Sequence, residues 1–226
     1  MGYRATGLVG LWLALFFATA AAAEPADDRP YVPASNFVVQ PDNSVVFSRE
    51  PSKAIVDLVA ASPVKKMSYQ KGRFMCGDYA FAFRNFCAAD GISCRQVAVW
   101  GEAEGKRAGH GANIVIEKAD QENRLWATWI EPQTNKIVAS WQFTVYGKNM
   151  PESAMAKIKK YYREDFRLDK LTLGELTDSA HLCGNLWNSG TTFQKFPEVV
   201  QEFHEKTGID PRTWKLRPLA PALPAK

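Results

Sequence analysis

The chain has 226 residues, 46% hydrophobic and 12% aromatic, with 28 Lys and Arg against 24 Asp and Glu. That content excludes intrinsic disorder for the bulk of the chain, and a formal charge of +4 spread along the sequence supplies no clustered basic face for nucleic acid. Four cysteines are also too few for a disulfide scaffold at a length that buries a core of its own.

The first 23 residues contain neither Asp nor Glu and read as a signal peptide over 1–23. Arg4 gives the positive start, Leu8 to Phe17 is apolar apart from Gly10, and Ala18 to Ala23 is small-residue cleavage territory. The apolar run is shorter than the roughly 20 residues of a spanning helix, so no membrane insertion is expected after cleavage. Removing Arg4 with that segment leaves 27 of the 28 basic residues against 24 acidic ones. The expected product is an exported chain, periplasmic or secreted, forming a single domain over 24–226.

Residues 24–51 read as an extended arm with β-like runs at Phe37 to Gln40 and Ser44 to Ser48, and a hairpin turn is expected at Pro41-Asp42-Asn43. A helix follows Pro51, with Ile55, Leu58, Val59 and Ser62 on one face and Pro63 as its stop. Apolar residues at 76, 79, 80, 83, 86 and 87 predict a helix from Cys76 to Ala89, stopped at Gly91. Three runs rich in Val, Ile and Trp then predict strands at Ser93 to Trp100, Ala112 to Ile116 and Leu125 to Ile130. The polar, glycine-rich Gly101 to Gly111 reads as a loop, Lys118 to Asn123 as a turn, and Ile137 to Trp141 as a continuation of the sheet. Helices are expected over Pro151 to Phe166, striped by Met155, Ile158, Tyr162 and Phe166, then over Gly174 to Trp187, and over Pro197 to Lys206. The domain divides into a core at 67–139, a helical C-terminal extension at 150–215 and a flexible tail at 216–226.

The chemistry concentrates at three points. Cys76 opens a helix just after Lys71 and Arg73, where the helix dipole and free amides favour a thiolate. His110 stands at the start of a predicted strand, and Glu131 ends the next one. Adjacent antiparallel strands bring such ends together, so the carboxylate could hold one imidazole nitrogen while the other faces the thiol. His181 and His204 lack such a setting. Asn113 either orients the histidine strand or bonds a loop. Cys87 lies on the apolar stripe of the Cys76 helix and Cys94 begins a strand; they either bridge across the turn at Gly91 or stay as buried thiols.

The order Cys, His, acid on helix, strand, strand resembles the papain-like and transglutaminase-like cysteine hydrolase superfamily. Cys76-Gly77-Asp78-Tyr79-Ala80-Phe81 is similar to its nucleophile segment, and Gly91-Ile92-Ser93-Cys94-Arg95-Gln96-Val97 to the way its chain enters the sheet. His110-Gly111-Ala112-Asn113 and Glu131-Pro132-Gln133 resemble most the peptidase domain at the C-terminus of a mushroom agglutinin and its relatives. The resemblance implies an α+β fold with the Cys-bearing helix packed on an antiparallel sheet. It implies Cys76, His110 and Glu131 as catalytic residues, with Asp78, Asn113 and Gln133 in support. Gln70, six residues before Cys76, stands at the offset of the papain-like oxyanion glutamine; it is either that donor, beside the Cys76 amide, or an ordinary loop residue. No metal site and no cofactor are expected; calcium is suggested only by the agglutinin group, and Gly77 stands where that group has Asp. The expected activity is a peptidase or amidase acting on a protein or peptide. The alternatives are an acyl transferase that cross-links proteins and an inactive binding domain of the same fold.

Overall fold

The computed structural model describes residues 37–42, 47–119, 124–144, 149–176 and 191–214. The predicted signal peptide, Cys183 and the tail lie outside them. The fold is α+β. Its centre is a six-stranded antiparallel sheet built from β2 (Phe47–Ser48), β3 (Cys94–Ala103), β4 (Lys106–Lys118), β5 (Arg124–Glu131), β6 (Lys136–Thr144) and β8 (Asp169–Leu176). Their spatial order is β2-β6-β5-β4-β3-β8. A separate parallel pair joins β1 (Val38–Gln40) to β7 (Asn149–Pro151). Among the described residues β1 pairs with β7 and β2 with β6, not with each other; 43–46, where the hairpin expected in the N-terminal arm would turn and begin its second strand, lie outside them.

Alternation along the strands divides the core into two layers. On one face, Val115 and Ile130 pack with α1 (Lys53–Ala61), α2 (Cys76–Ala89) and α5 (Pro197–Thr207) through Leu58, Phe83 and Phe203. Short α4 (Thr191–Lys195) adds Phe193 to this layer. On the other face, Ala112, Ile114 and Trp129 pack with α3 (Glu152–Phe166) through Met155, Ile158 and Tyr162. Among the described residues no helix is long and apolar enough to cross a membrane.

Helix α2 has the predicted bounds because the periodic stripe and its stop agree. Gly91 takes φ +69°, and the Ile92 amide returns to the Cys87 carbonyl at 3.0 Å to close the end. The Ser52 hydroxyl accepts the Ile55 amide at the start of α1.

Two expectations fail in the sheet. The segment Gly101 to Gly111 is a β-hairpin rather than a loop, with β3 and β4 paired out to Ala103 and Lys106. Its turn needs only Glu104 and Gly105, both at positive φ, which suits the right-handed twist of the flanking strands. Two of its glycines answer to packing: a Cβ on Gly101 would lie 2.6 Å from the Asp169 carbonyl oxygen, and one on Gly109 would lie 2.5 Å from the Trp100 ring. The second failure is the helix expected from Gly174, because residues 169–176 form β8 and complete the outer edge of β3. Leu171 and Leu173 join one core layer on either side of exposed Thr172, as strand alternation requires, and pairing satisfies the free edge of β3. The remainder of that expected helix, 177–187, lies outside the described residues.

Gly101→Ala must push β8 away from β3 to clear a backbone oxygen. It is expected to destabilise the protein by about 1–3 kcal/mol, the usual range for overpacking, as read by urea unfolding.

Candidate functional site

Cys76 is the first residue of α2, and the chain ahead of it is held on both sides. The Phe74 amide donates to the Gln70 carbonyl at 2.8 Å, and the Tyr79 hydroxyl donates to the Met67 carbonyl at 2.7 Å. Asp78 Oδ2 accepts the Met75 amide at 2.8 Å and so caps the helix just ahead of the thiol. Burial pushes the Asp78 carboxyl up to about 6, against the opposing effect of its hydrogen bonds to the Met75 amide and to Thr192. Its support of the site is thus helix capping.

His110 lies within β4, opposite Val99 of β3. On the other side, β4 and β5 pair from Asn113 opposite Ile130 onwards. One more step of that register sets Glu131 beside Ala112, so His110 lies diagonal to it on the same sheet face, where β5 ends. His110 Nε2 and Glu131 Oε2 are 2.7 Å apart, with the carboxylate fully buried and the histidine 6% exposed. The Cys76 side chain is the imidazole's other interaction partner and favours its charged form. With Nε2 committed to Glu131, Nδ1 is the ring nitrogen left to serve a thiol. Cysteine, histidine and glutamate from three separate elements thus form one connected set. Burial acts to discharge the imidazole, but the charge and hydrogen bond of Glu131 and the Cys76 side chain outweigh it, and His110 is pushed up to about 10.

The rest of the surroundings serve the carboxylate. Oε1 accepts the backbone amide of Gln133 at 3.1 Å, so Gln133 supports the site through its main chain. Oε2 also accepts the Tyr162 hydroxyl at 3.1 Å, and Tyr162 in turn accepts the Trp129 indole N–H at 3.0 Å. Phe166 packs against the imidazole with ring centroids 4.2 Å apart. Tyr162, Trp129 and Phe166 were not singled out as site residues from sequence. The only available signal was chemical: a tyrosine on a buried stripe needs a partner for its hydroxyl, as a buried glutamate needs donors.

Asn113 hydrogen-bonds to α2 and β3, not to the histidine. Its Nδ2 donates to the Ala80 carbonyl at 2.9 Å and so ties β4 to α2. Gln70 Nε2 donates to Glu202 Oε2 of α5 at 2.7 Å, which engages one of the two N–H groups of its amide. Cys87 and Cys94 are free thiols, and the Cys94 thiol together with burial pushes the Cys87 thiol up. Among the described residues no group of His, Cys, Asp and Glu side chains could hold a metal ion. Neither a family model nor a curated protein matches the chain.

A folded-state value above the unfolded 6.5 means that charged His110 stabilises the fold fully below about pH 6.5 and ceases to do so as pH rises through about 10. Glu131→Gln removes the opposing charge and keeps the burial. In that variant the His110 ring is expected to titrate below 6.5 by NMR, and stability should lose its decline between neutral and alkaline pH.

Proposed function

We propose that the chain is an exported cysteine hydrolase of the papain-like and transglutaminase-like kind, cleaving an amide bond in a protein or peptide. The observation that carries this reading is the meeting of the three side chains: a thiol at a helix N-terminus that interacts with an imidazole whose Nε2 lies 2.7 Å from a buried carboxylate. The pieces come from a helix and two strands, so sequence proximity does not account for their meeting. The resemblance of the Cys76, His110 and Glu131 segments supports the same reading.

In this mechanism the proton of Cys76 passes to His110, and the thiolate attacks the substrate carbonyl carbon. Negative charge moves onto the carbonyl oxygen, where the Cys76 amide and the second N–H of Gln70 are the proposed donors. His110 then protonates the leaving amine as the C–N bond breaks, which leaves a thioester on Cys76. Neutral His110 takes a proton from water, the resulting hydroxide attacks the thioester, and the carboxylic acid departs as the thiol recovers its proton. Glu131 orients the ring and balances its charge while it is protonated.

The test is alkylation by iodoacetamide near pH 6, followed by mass spectrometry, together with hydrolysis of a peptide library. Cys76 is expected to react at least tenfold faster than Cys87 and Cys94, and His110→Ala should remove that difference. Cys76→Ala should abolish hydrolysis, while His110→Ala should slow it by about 10²–10⁴. Equal labelling of the cysteines, or peptide cleavage that survives Cys76→Ala, overturns the reading. A labelled amine incorporated in preference to water would identify the acyl-transfer form of the same chemistry.

A further inference from the structure

We propose that Tyr162 is a positioning residue for this reaction: by donating to the carboxylate oxygen that also accepts His110 Nε2, it fixes Glu131 and restrains the proton affinity of the imidazole. The proposal rests on the Cys76, His110 and Glu131 reading above and adds to it a residue from α3.

Three distances define the arrangement. His110 Nε2 is 2.7 Å from Glu131 Oε2, the Tyr162 hydroxyl is 3.1 Å from the same oxygen, and Trp129 Nε1 is 3.0 Å from the Tyr162 oxygen. Glu131, Tyr162 and Trp129 have no solvent exposure. Packing alone would not require a hydroxyl there, because Phe166 shows that a plain ring fits against the imidazole. The Trp129 N–H also fixes the direction of the hydroxyl. Since the indole only donates, the Tyr162 oxygen must accept from it, and the phenolic proton is left for Glu131. Burial and the Glu131 charge keep Tyr162 well above its ordinary pKa, so it remains a donor wherever the protein is folded.

The chemical consequence concerns how readily the proton returns. His110 must bind a proton to pair with the thiolate and then release it to the leaving amine. A carboxylate at 2.7 Å with no other donor on that oxygen would hold the imidazolium too tightly for release. A second donor on the oxygen spreads its charge and weakens that hold. The groups facing the pair are Cys76 and Tyr79 from α2, Tyr161, Tyr162 and Phe166 from α3, and the Gln133 amide after β5. Of the tyrosine hydroxyls, that of Tyr162 reaches Glu131, whereas those of Tyr79 and Tyr161 reach Met67 and Thr134.

The test uses the full chain with ring-labelled histidine and follows His110 by NMR titration in Tyr162→Phe. The His110 titration is expected to move up by about half to one pH unit, a three- to tenfold gain in proton affinity. The corresponding limb of the kcat profile should move with it while KM stays within twofold. In a Glu131→Gln background the same substitution should move His110 by less than about 0.2 unit, since the shared oxygen is gone. Should Tyr162→Phe fail to fold, replacing tyrosine with 3-fluorotyrosine strengthens the donor at almost constant size and should move His110 down. A folded Tyr162→Phe protein whose His110 titration does not move, or moves equally without Glu131, overturns the proposal. Hydrolysis without these shifts overturns this proposal alone; absence of any acyl-transfer chemistry overturns the reading on which it rests.

Discussion

A carboxylate without solvent contact must find its hydrogen bonds and its counter-charge inside the protein, and for Glu131 both requirements meet at His110. Leaving a buried charge of this kind unpaired costs about 3–5 kcal/mol. The surrounding structure is arranged so that this does not happen: the turn after β5 supplies the Gln133 amide, α3 supplies the Tyr162 hydroxyl, and β4 supplies the imidazole. Each donor depends on a different piece of chain. The pair is therefore sensitive to strand register, to the end of β5 and to the seating of α3 together.

That dependence explains why the chain beyond residue 139 belongs to the site. The predicted core at 67–139 contains the thiol, the imidazole and the carboxylate, yet its sheet borrows β2 from before it and β8 from after it. The second layer over His110 is α3. The first layer is tied to the site in the same way, since Gln70 reaches α5 through Glu202 and Asp78 reaches α4 through Thr192. Both flanking layers thus hold the two sides of one arrangement.

How much of this could be read beforehand follows from the range of the interactions concerned. Helix α2 was legible because its stripe, its first residue and the turn at Gly91 all lie within sixteen residues of one another. That His110 and Glu131 meet was legible from their order on neighbouring strands, although His110 lies inside β4 rather than at its start, because the preceding glycine-rich stretch is itself strand. The β3–β4 hairpin was hidden because its glycines look like loop residues, whereas Gly101 and Gly109 are small to admit the Asp169 carbonyl and the Trp100 ring. Strand β8 was hidden because its eight residues show only a short alternation, and the free edge of β3 that makes it a strand lies far away in sequence.

Tyr162 shows the same limit most plainly. On its own helix it falls on a stripe with Met155, Ile158 and Phe166, and such a stripe asks for nothing but a hydrophobic layer. Its hydroxyl changes meaning only when the partner, 31 residues earlier, is known to be a buried carboxylate already committed to a histidine. Periodicity places a side chain in the core but cannot say which polar atom it meets there. Chemistry can narrow the choice, because a core that contains a glutamate must also contain its donors. A sequence with a glutamate closing an apolar strand, Trp129-Ile130-Glu131, and a tyrosine within an apolar helical stripe therefore holds two unsatisfied demands that answer one another.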